Sequence, residues 1–187
     1  MGIYSDDSPT FRPQLIPRTR FSDDRGYLEM IFRFNEIREN YPDLPCPAQV
    51  NLIVSQIGSI RGFHGSDIQN NHWKYITCVR GAVADLTLNL ILDGSEIGKV
   101  EEHLLESDNP STLVIPPGFA HAMQSLTQDS IIIYGTNIDY SENREFEILP
   151  TDPSLNIVWK FPYVLSERDS KAQNLMEYLE KSRGVNK

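Results

Sequence analysis

The sequence predicts an all-β protein whose strands close into a barrel or stack as a sandwich. Short segments with alternating apolar residues recur from Gln49 onward, without the long helical segments that separate strands in an alternating βα fold. Turn sequences such as Arg80-Gly81 and Pro116-Pro117-Gly118 separate the segments. A length of 187 residues suits a single domain, residues 1–187, with a buried core.

We expect the elements in a simple order along the chain. Residues 1–20 are rich in Pro and Asp and predict an N-terminal arm, and residues 34–40 predict a short helix that ends before Pro42. Residues 170–187 predict a helical tail, because Leu175, Met176 and Leu179 lie at helical spacing within a helix from Ser170 to Ser182. The predicted strands are Gln49–Gln56, Trp73–Val79, Ala82–Leu92, Gly98–Leu105, Thr112–Ile115, Met123–Leu126 and Ser130–Tyr140.

The segment from Ala82 to Leu90 combines an apolar face with a half-polar face. The apolar face carries Ala84, Leu86, Leu88 and Leu90, and the other carries Val83, Asp85, Thr87 and Asn89. A half-polar strand face lies either against solvent or along a wet cavity inside a barrel. The sequence leaves both arrangements open.

The composition restricts the class of partner. Lys and Arg number 17 against 26 Asp and Glu, which gives a formal net charge of −9. Because such a protein repels polyanions, we expect no non-specific binding to nucleic acid or to an anionic membrane. A small anionic substrate held by a few local arginines is compatible with this charge.

The sequence favours a soluble cytoplasmic protein. Its apolar runs are far shorter than the ~20 residues that span a bilayer, and its acidic N-terminus lacks the layout of a signal peptide. Cys46 and Cys78 have no motif spacing, which favours free thiols in a reducing compartment.

Two of the four histidines lie in short motifs punctuated by turn residues. One motif is Arg61-Gly62-Phe63-His64-Gly65, and the other runs from Pro116 to His121. A single histidine is more often a surface residue or a hydrogen-bonded structural residue than a functional one. Two such motifs in a chain with four histidines indicate a site.

The second motif resembles part of the cupin superfamily signature, Pro-x-Gly-x-x-His. The superfamily's first signature gives His-x-His and a later Glu as metal ligands, but Ser66 stands two residues after His64. His64 and His121 alone are too few ligands for a zinc or iron site. We therefore expect no metal and no other cofactor, and acid–base chemistry from the histidines.

Most of the chain resembles the dTDP-4-dehydrorhamnose 3,5-epimerase family, the RmlC-type cupins of deoxysugar biosynthesis. The resemblance implies a cupin jelly-roll β-barrel with short flanking helices, including one at the C-terminus. The matching stretches include Phe21–Glu29, Arg61–His64, Lys74, Gly81 with Asp85, Ile115–His121, Tyr134 with Thr136 and Tyr140, Asp152-Pro153, Ile157 with Trp159, and Leu165–Asp169.

The family resemblance implies a sugar-nucleotide epimerase that inverts C3, C5 or both in a nucleoside-diphosphate 4-keto-6-deoxysugar. By similarity His64 is the base that takes the proton next to the ketone, and Asp169 orients it. Lys74 stabilises the enolate oxygen, and Tyr134 returns a proton to the opposite face. Simpler interpretations are barrel packing for Tyr134 and Tyr140 on one strand face, an edge position for Lys74 and a solvated Asp169.

The resemblance also implies a set of substrate-binding residues and a homodimer. Arg25 and Arg61 meet the diphosphate, His121 lies near the sugar, and an N-terminal β-structure is exchanged between subunits, so that Arg25 and Glu29 act in trans. The remaining binding residues are Gln49, Asn51 and Tyr140.

Two departures from the family pattern leave the exact substrate open. Gly65-Ser66 replaces an aromatic and a Gln, and Asn89-Leu90-Ile91 replaces a stretch that carries an Arg in many members. The first change is similar to a branch that acts on other nucleotide sugars. Alternative functions are a 3,4-ketoisomerase, a non-catalytic sugar-nucleotide-binding cupin and a metal-dependent cupin oxygenase.

Overall fold

The computed structural model describes residues 11–42, 44–66, 71–92, 95–139 and 145–184. Its strands are β1 (Gln14–Pro17), β2 (Arg20–Asp23), β3 (Gly26–Glu29), β4 (Gln49–Ser55), β5 (Ile60–Ser66), β6 (Lys74–Arg80), β7 (Ala82–Asn89), β8 (Val100–Glu106), β9 (Ser111–Ile115), β10 (Phe119–Ser125), β11 (Ser130–Thr136) and β12 (Glu145–Glu147). The helices are α1 (Phe34–Asn40), α2 (Glu167–Ser170) and α3 (Leu175–Gly184). The all-β prediction is confirmed.

Two antiparallel five-stranded sheets and one hairpin make up the described architecture. The first sheet has the order β1-β9-β6-β11-β4, and the second has the order β12-β5-β10-β7-β8. β2 and β3 pair only with each other among the described strands. One apolar cluster draws residues from both sheets and therefore lies between them: Ile76, Cys78, Val83, Leu105, Leu113, Ile115, Met123 and Ile132.

The outer face of each sheet is covered by helical segments. α1 packs Ile37 and the adjoining Tyr41 against Tyr75 and Val114 on the first sheet. α3 packs Leu175 and Leu179 on the second sheet, in one cluster with Phe63, Ala84, Leu86, Leu88, Ala120 and Ala122. Because the apolar face of β7 points outward to this cluster, its half-polar face points inward, and Asp85 and Thr87 are buried. The half-polar face of this strand therefore lines the interior between the sheets and does not face solvent.

Several predicted boundaries need correction. The motif of His64 lies on β5 rather than in a turn. In the motif of His121 the predicted turn at Pro116-Pro117-Gly118 is present, but β10 begins directly after it at Phe119, earlier than the predicted Met123. Within the predicted arm, β1 pairs with β9, while residues 1–10 lie outside the described part. β7 ends at Asn89 rather than Leu92, and β11 ends at Thr136 rather than Tyr140.

Helix prediction was accurate at one end of the chain and shifted at the other. α1 spans the predicted residues 34–40, whereas α3 begins five residues later than the predicted Ser170. Among the described residues, no helix has the length and apolar character needed to cross a membrane.

Candidate active site

His64 and Asp169 meet at one end of the space between the sheets, although 105 positions separate them in the sequence. His64 is the cross-strand partner of His121, whose ring stacks on Tyr134 of the opposite sheet, so both histidines face inward. His64 Nε2 lies 2.8 Å from Asp169 Oδ1. The His64 side chain is 32% exposed and that of Asp169 is 5% exposed. A ligand can therefore reach the imidazole, while the carboxylate is shielded.

The Asp169 carboxylate is fixed by the start of α2. Ser166 caps this helix by accepting the Asp169 backbone N–H at 3.0 Å, and its hydroxyl donates to Asp169 Oδ2 at 2.8 Å. Burial opposes ionisation, but hydrogen bonds from His64, Ser166 and the backbone N–H of Gly62 lower the pKa of Asp169 below its ordinary value. The carboxylate is ionised at neutral pH and can stabilise an imidazolium. The solvated-tail interpretation of Asp169 is wrong.

Lys74 lies at the start of β6, in the middle of the first sheet, with its side chain inward. The residue is 2% exposed, and its Nζ donates to the backbone carbonyl oxygen of His64 at 2.9 Å. Burial lowers the pKa of the Lys74 ammonium to about 8, while Glu145 and Asp85 act in the opposite direction. This buried position in a central strand excludes the edge-residue interpretation of Lys74.

Tyr134 faces the histidines from the first sheet. Its ring centroid lies 5.9 Å from that of His121, with an interplanar angle of 25°. Burial raises the pKa of Tyr134, and the charges of Glu145 and Asp85 raise it further. The phenol is therefore protonated at neutral pH and has a proton to give.

Asp85 holds His121 in place and was not assigned a role from the sequence. His121 Nδ1 lies 3.0 Å from Asp85 Oδ2. Burial lowers the pKa of His121, although the neighbouring Asp85 carboxylate opposes this shift. The half-polar face of β7 was the available sequence signal for such a buried acidic residue.

Besides His121, three predicted binding residues lie on the adjoining strands β4 and β5. On the inner face of β4, Gln49 donates to Asn51 at 2.9 Å, and Asn51 is the cross-strand partner of Tyr134. Arg61, at the start of β5, is exposed, and its Nε donates to Ser55 Oγ at 3.0 Å.

Two other predicted binding residues, Arg25 and Glu29, are not brought to the site by the single chain. Arg25 is at the exposed tip of the β2–β3 hairpin, paired with Asp23. Glu29 is buried between Arg18 and Arg20, and Arg18 donates to the Cys78 carbonyl oxygen, four residues along β6 from Lys74, or roughly 13 Å away. Tyr140 lies outside the described residues.

The backbone geometry at Gly62 explains why the Arg-Gly-x-His motif has a glycine at this position. Its φ of +108° suits glycine, and an added Cβ would lie 2.4 Å from the His121 carbonyl oxygen and 2.8 Å from Ala122 Cα. We expect Gly62→Ala to lower the free energy of unfolding in urea by at least about 3 kcal/mol, through backbone strain and a clash with backbone.

The matched control for this substitution is Gly26→Ala. Gly26 has a φ of +125° and no atom within 4 Å of an added Cβ, so only the strain remains. We expect its cost to be about 1 kcal/mol. Equal costs at the two positions would show that the close approach of β5 to β10 does not require a glycine.

The described residues contain no group of three or more His, Cys, Asp or Glu side chains placed to hold a metal ion. The grouped side chains instead comprise two His–carboxylate pairs, a buried ammonium and a partly buried phenol. Such a set can take a proton, hold developing negative charge and give a proton back.

Comparison with known proteins identifies relatives over most of the chain. The family model for dTDP-4-dehydrorhamnose 3,5-epimerase matches residues 13–177. The dTDP-4-dehydrorhamnose 3,5-epimerase of Streptomyces griseus is 34% identical over 159 residues, which cover 84% of this chain and 79% of the relative.

Solved structures of such enzymes have the same fold. The rmlC epimerase of Mycobacterium tuberculosis gives a TM-score of 0.85 at 27% identity, over 96% of this chain and 90% of its own. The 3'-monoepimerase ChmJ from Streptomyces bikiniensis, in complex with dTDP-quinovose, gives a TM-score of 0.83 at 29% identity, over 93% and 87% of the two chains. The cupin jelly-roll prediction is confirmed.

Proposed function

The chain belongs to the dTDP-4-dehydrorhamnose 3,5-epimerase family, and on that basis we propose that His64, Asp169, Lys74 and Tyr134 are its catalytic residues. Members of this family are isomerases that act on sugar nucleotides. The proposed reaction inverts C3, C5 or both in a nucleoside-diphosphate 4-keto-6-deoxysugar. The observation that carries the proposal is the contact of His64, on the second sheet, with Asp169, opposite the partly buried Tyr134 on the first sheet.

The reaction begins with loss of a carbon-bound proton next to the ketone. Neutral His64 takes this proton, and the C–H electron pair moves into the ring to give an enolate. The Asp169 carboxylate, 2.8 Å from the imidazole, stabilises the imidazolium that forms. Because Ser166 and Gly62 fix the carboxylate, little reorganisation is needed as charge develops.

The other two groups complete the inversion. The Lys74 ammonium, held by the His64 carbonyl, stabilises the enolate oxygen. Tyr134 extends from the facing sheet and gives its proton to the carbon from the side opposite His64. Protonation at carbon restores the ketone with one stereocentre reversed. The phenolate then regains a proton from solvent, and the His64 imidazolium releases its proton to solvent.

Substrate binding is proposed for the polar residues around this group. Arg61 and Arg25 bind the diphosphate, Gln49, Asn51 and Glu29 surround the nucleotide, His121 contacts the sugar, and Tyr140 packs beside it. The solved complex of a relative with dTDP-quinovose supports a nucleoside-diphosphate sugar as the ligand.

A panel of nucleotide 4-ketosugars, with NMR of the products, tests this function. We expect a product that keeps its 4-ketone and has a new configuration at C3, C5 or both. A carbonyl moved to C3 would instead identify a 3,4-ketoisomerase. Binding without any change at carbon would identify a non-catalytic sugar-nucleotide-binding protein, and activity that depends on stoichiometric iron or zinc would identify the metal-dependent alternative.

Tyr134→Phe is expected to separate proton exchange from inversion. His64 still removes the proton and returns one from the same side, so solvent deuterium enters the sugar with its configuration retained. Inversion falls about tenfold or more, because the donor on the opposite face is lost. NMR of the product in D₂O measures both rates, and equal losses of exchange and inversion would contradict the assigned role.

We also propose a homodimer in which the N-terminal hairpin of one subunit reaches the other. β4 is at the edge of the first sheet and exposes Val50, Leu52 and Val54. The β2–β3 hairpin is itself unpaired with the described sheets and exposes Phe21, Tyr27 and Leu28. Pairing these two surfaces in a second copy buries both apolar sets and covers an open strand edge.

Mixed dimers test whether Arg25 serves the partner's site. When Arg25→Ala and His64→Ala subunits are co-expressed with different tags, half of the dimers are mixed, and each has one intact site. Activity below KM should then recover to about a quarter of the wild-type value. The matched pair His64→Ala with Asp169→Ala should show no recovery, because both changes lie in cis, and no recovery in the first pair would place Arg25 in cis as well.

A cytoplasmic location is part of the same proposal. Cys46 and Cys78 are both free thiols in the structure, and thiols of this kind are typical of a reducing compartment.

A further inference from the structure

One buried imidazole beside the proposed site has no part in the reaction described above. His72 immediately precedes β6, is 6% exposed, and its Nδ1 lies 2.9 Å from the Ser66 hydroxyl oxygen. Its Nε2 is buried and has no hydrogen-bond partner in the part of the chain that the structure describes. Because buried polar atoms are nearly always hydrogen-bonded, the unpaired Nε2 indicates that a ligand forms a hydrogen bond with it.

His72 belongs to the wall of the same interior space as the proposed catalytic residues. Ser66 follows His64 by two positions on β5, so their side chains share the inner face of the second sheet. His72 lies within electrostatic range of Lys74, two residues along the chain, and of His121 on the second sheet. A group bonded to His72 Nε2 would therefore lie close to the reacting part of the substrate.

The charge state of His72 restricts what it can bind. Burial lowers its pKa to about 3, and the neighbouring charges of Lys74 and His121 contribute to the shift. A pKa of about 3 keeps the His72 imidazole neutral, which makes it a poor partner for a phosphate, and so low a pKa makes it too weak a base for a carbon-bound proton. It suits a neutral hydroxyl, which can donate or accept a hydrogen bond.

We propose that His72 is a specificity-determining residue whose Nε2 hydrogen-bonds a ring hydroxyl of the sugar, and that Ser66 fixes its orientation. If Ser66 donates to Nδ1, then Nε2–H donates to the sugar; in the other tautomer Nε2 accepts. This inference rests on the proposed function. It gives a role to Ser66, which stands where the family pattern has a longer polar residue.

Binding of dTDP and of unreactive dTDP-glucose by calorimetry separates the sugar contact from the nucleotide contacts. His72→Phe keeps a planar ring without its nitrogens, and it should bind dTDP as the wild type does but dTDP-glucose about tenfold more weakly. His72→Gln can still donate and accept, and it should recover affinity to within about threefold. His103→Phe is the matched control, because His103 is another imidazole hydrogen-bonded to a hydroxyl, that of Thr87, at 3.0 Å. This control should leave the affinities for dTDP and for dTDP-glucose within about twofold of the wild-type values.

Turnover of dTDP-4-dehydro-6-deoxyglucose gives the second readout. For His72→Phe, KM should rise about tenfold with little change in kcat, and the preference over analogues that lack the C2 or C3 hydroxyl should disappear. Ser66→Ala should show an intermediate loss, and it serves as the test if His72→Phe does not fold. Unchanged dTDP-glucose affinity, or an equal loss of dTDP affinity, would overturn the proposal. A wild-type protein that turns over no 4-ketosugar would refute the proposed function, while the dTDP-glucose comparison still decides the role of His72.

Discussion

Replacement of His64 by Ala should reduce epimerisation by about 10²–10⁴-fold, the usual cost of removing a general base. The imidazole is proposed to take the carbon-bound proton. The other described side chain hydrogen-bonded to Asp169 is the capping hydroxyl of Ser166, which cannot replace an imidazole as the base. The loss should appear in kcat, measured by NMR of the product at saturating substrate. Affinity for dTDP should be nearly unchanged, because the nucleotide is bound by other residues.

Two further variants test whether the loss of kcat comes from disruption of the His64–Asp169 pair. Asp169→Asn keeps the shape but removes the charge that stabilises the imidazolium, and we expect a loss of about 10²–10⁴-fold. Ser166→Ala removes one hydrogen bond to the carboxylate and should have a smaller effect. Near-wild-type kcat in Asp169→Asn would show that the carboxylate is structural.

Lys74→Gln should reduce kcat by about 10²–10³-fold, because the amide keeps a donor but lacks the charge that stabilises the enolate. Lys74 is buried in a central strand and donates to the His64 carbonyl oxygen. Because glutamine can fill much of the same space and still donate a hydrogen bond, this substitution tests the loss of charge rather than the loss of packing alone. Lys171→Gln is the control, since that lysine is an exposed residue of the C-terminal segment, paired with Glu167. A Lys74→Gln enzyme with wild-type kcat would remove Lys74 from the mechanism.

The same lysine predicts an alkaline limit on activity. Burial lowers its pKa to about 8, so the ammonium is present below that pH and is progressively lost above it. Because the charged form is the one that stabilises the enolate, kcat/KM should fall as pH rises through about 8. Lys74→Arg stays charged at high pH, and it should lose this limb even if its rate is low. An alkaline limb that persists in Lys74→Arg would assign it to another group.

The sequence was most informative where periodicity and motif agreed. The half-polar face of β7 predicted a strand, but only the structure decides that Asp85 and Thr87 point inward, because α3 and its neighbours cover the other face. β5 was missed since Gly62 and Gly65 resemble turn residues. Gly62 is required instead by the close approach of His121 and Ala122. A glycine in a strand often marks such an approach.

Two local features could have been found from sequence and were not. Asn174 and Glu177 form a reciprocal capping box, with bonds of 2.9 and 3.0 Å between side chain and backbone, and this motif sets the start of α3. His72 precedes Lys74 by two positions, and this spacing places both residues on the same face of an extended segment. By contrast, the contact between His64 and Asp169 joins residues far apart in sequence, and without the family resemblance no spacing rule predicts it.

Uptake of solvent deuterium at the inverted carbon tests proton abstraction by His64 most directly. Wild-type protein and His64→Ala protein are loaded with the same nucleotide 4-ketosugar in D₂O, at equal occupancy, and the product is analysed by NMR and mass spectrometry. We predict one deuterium for each centre inverted by the wild type, and uptake about 10²–10⁴-fold slower in the variant. Equal uptake by the variant, or inversion without uptake, would contradict an imidazole base at this position.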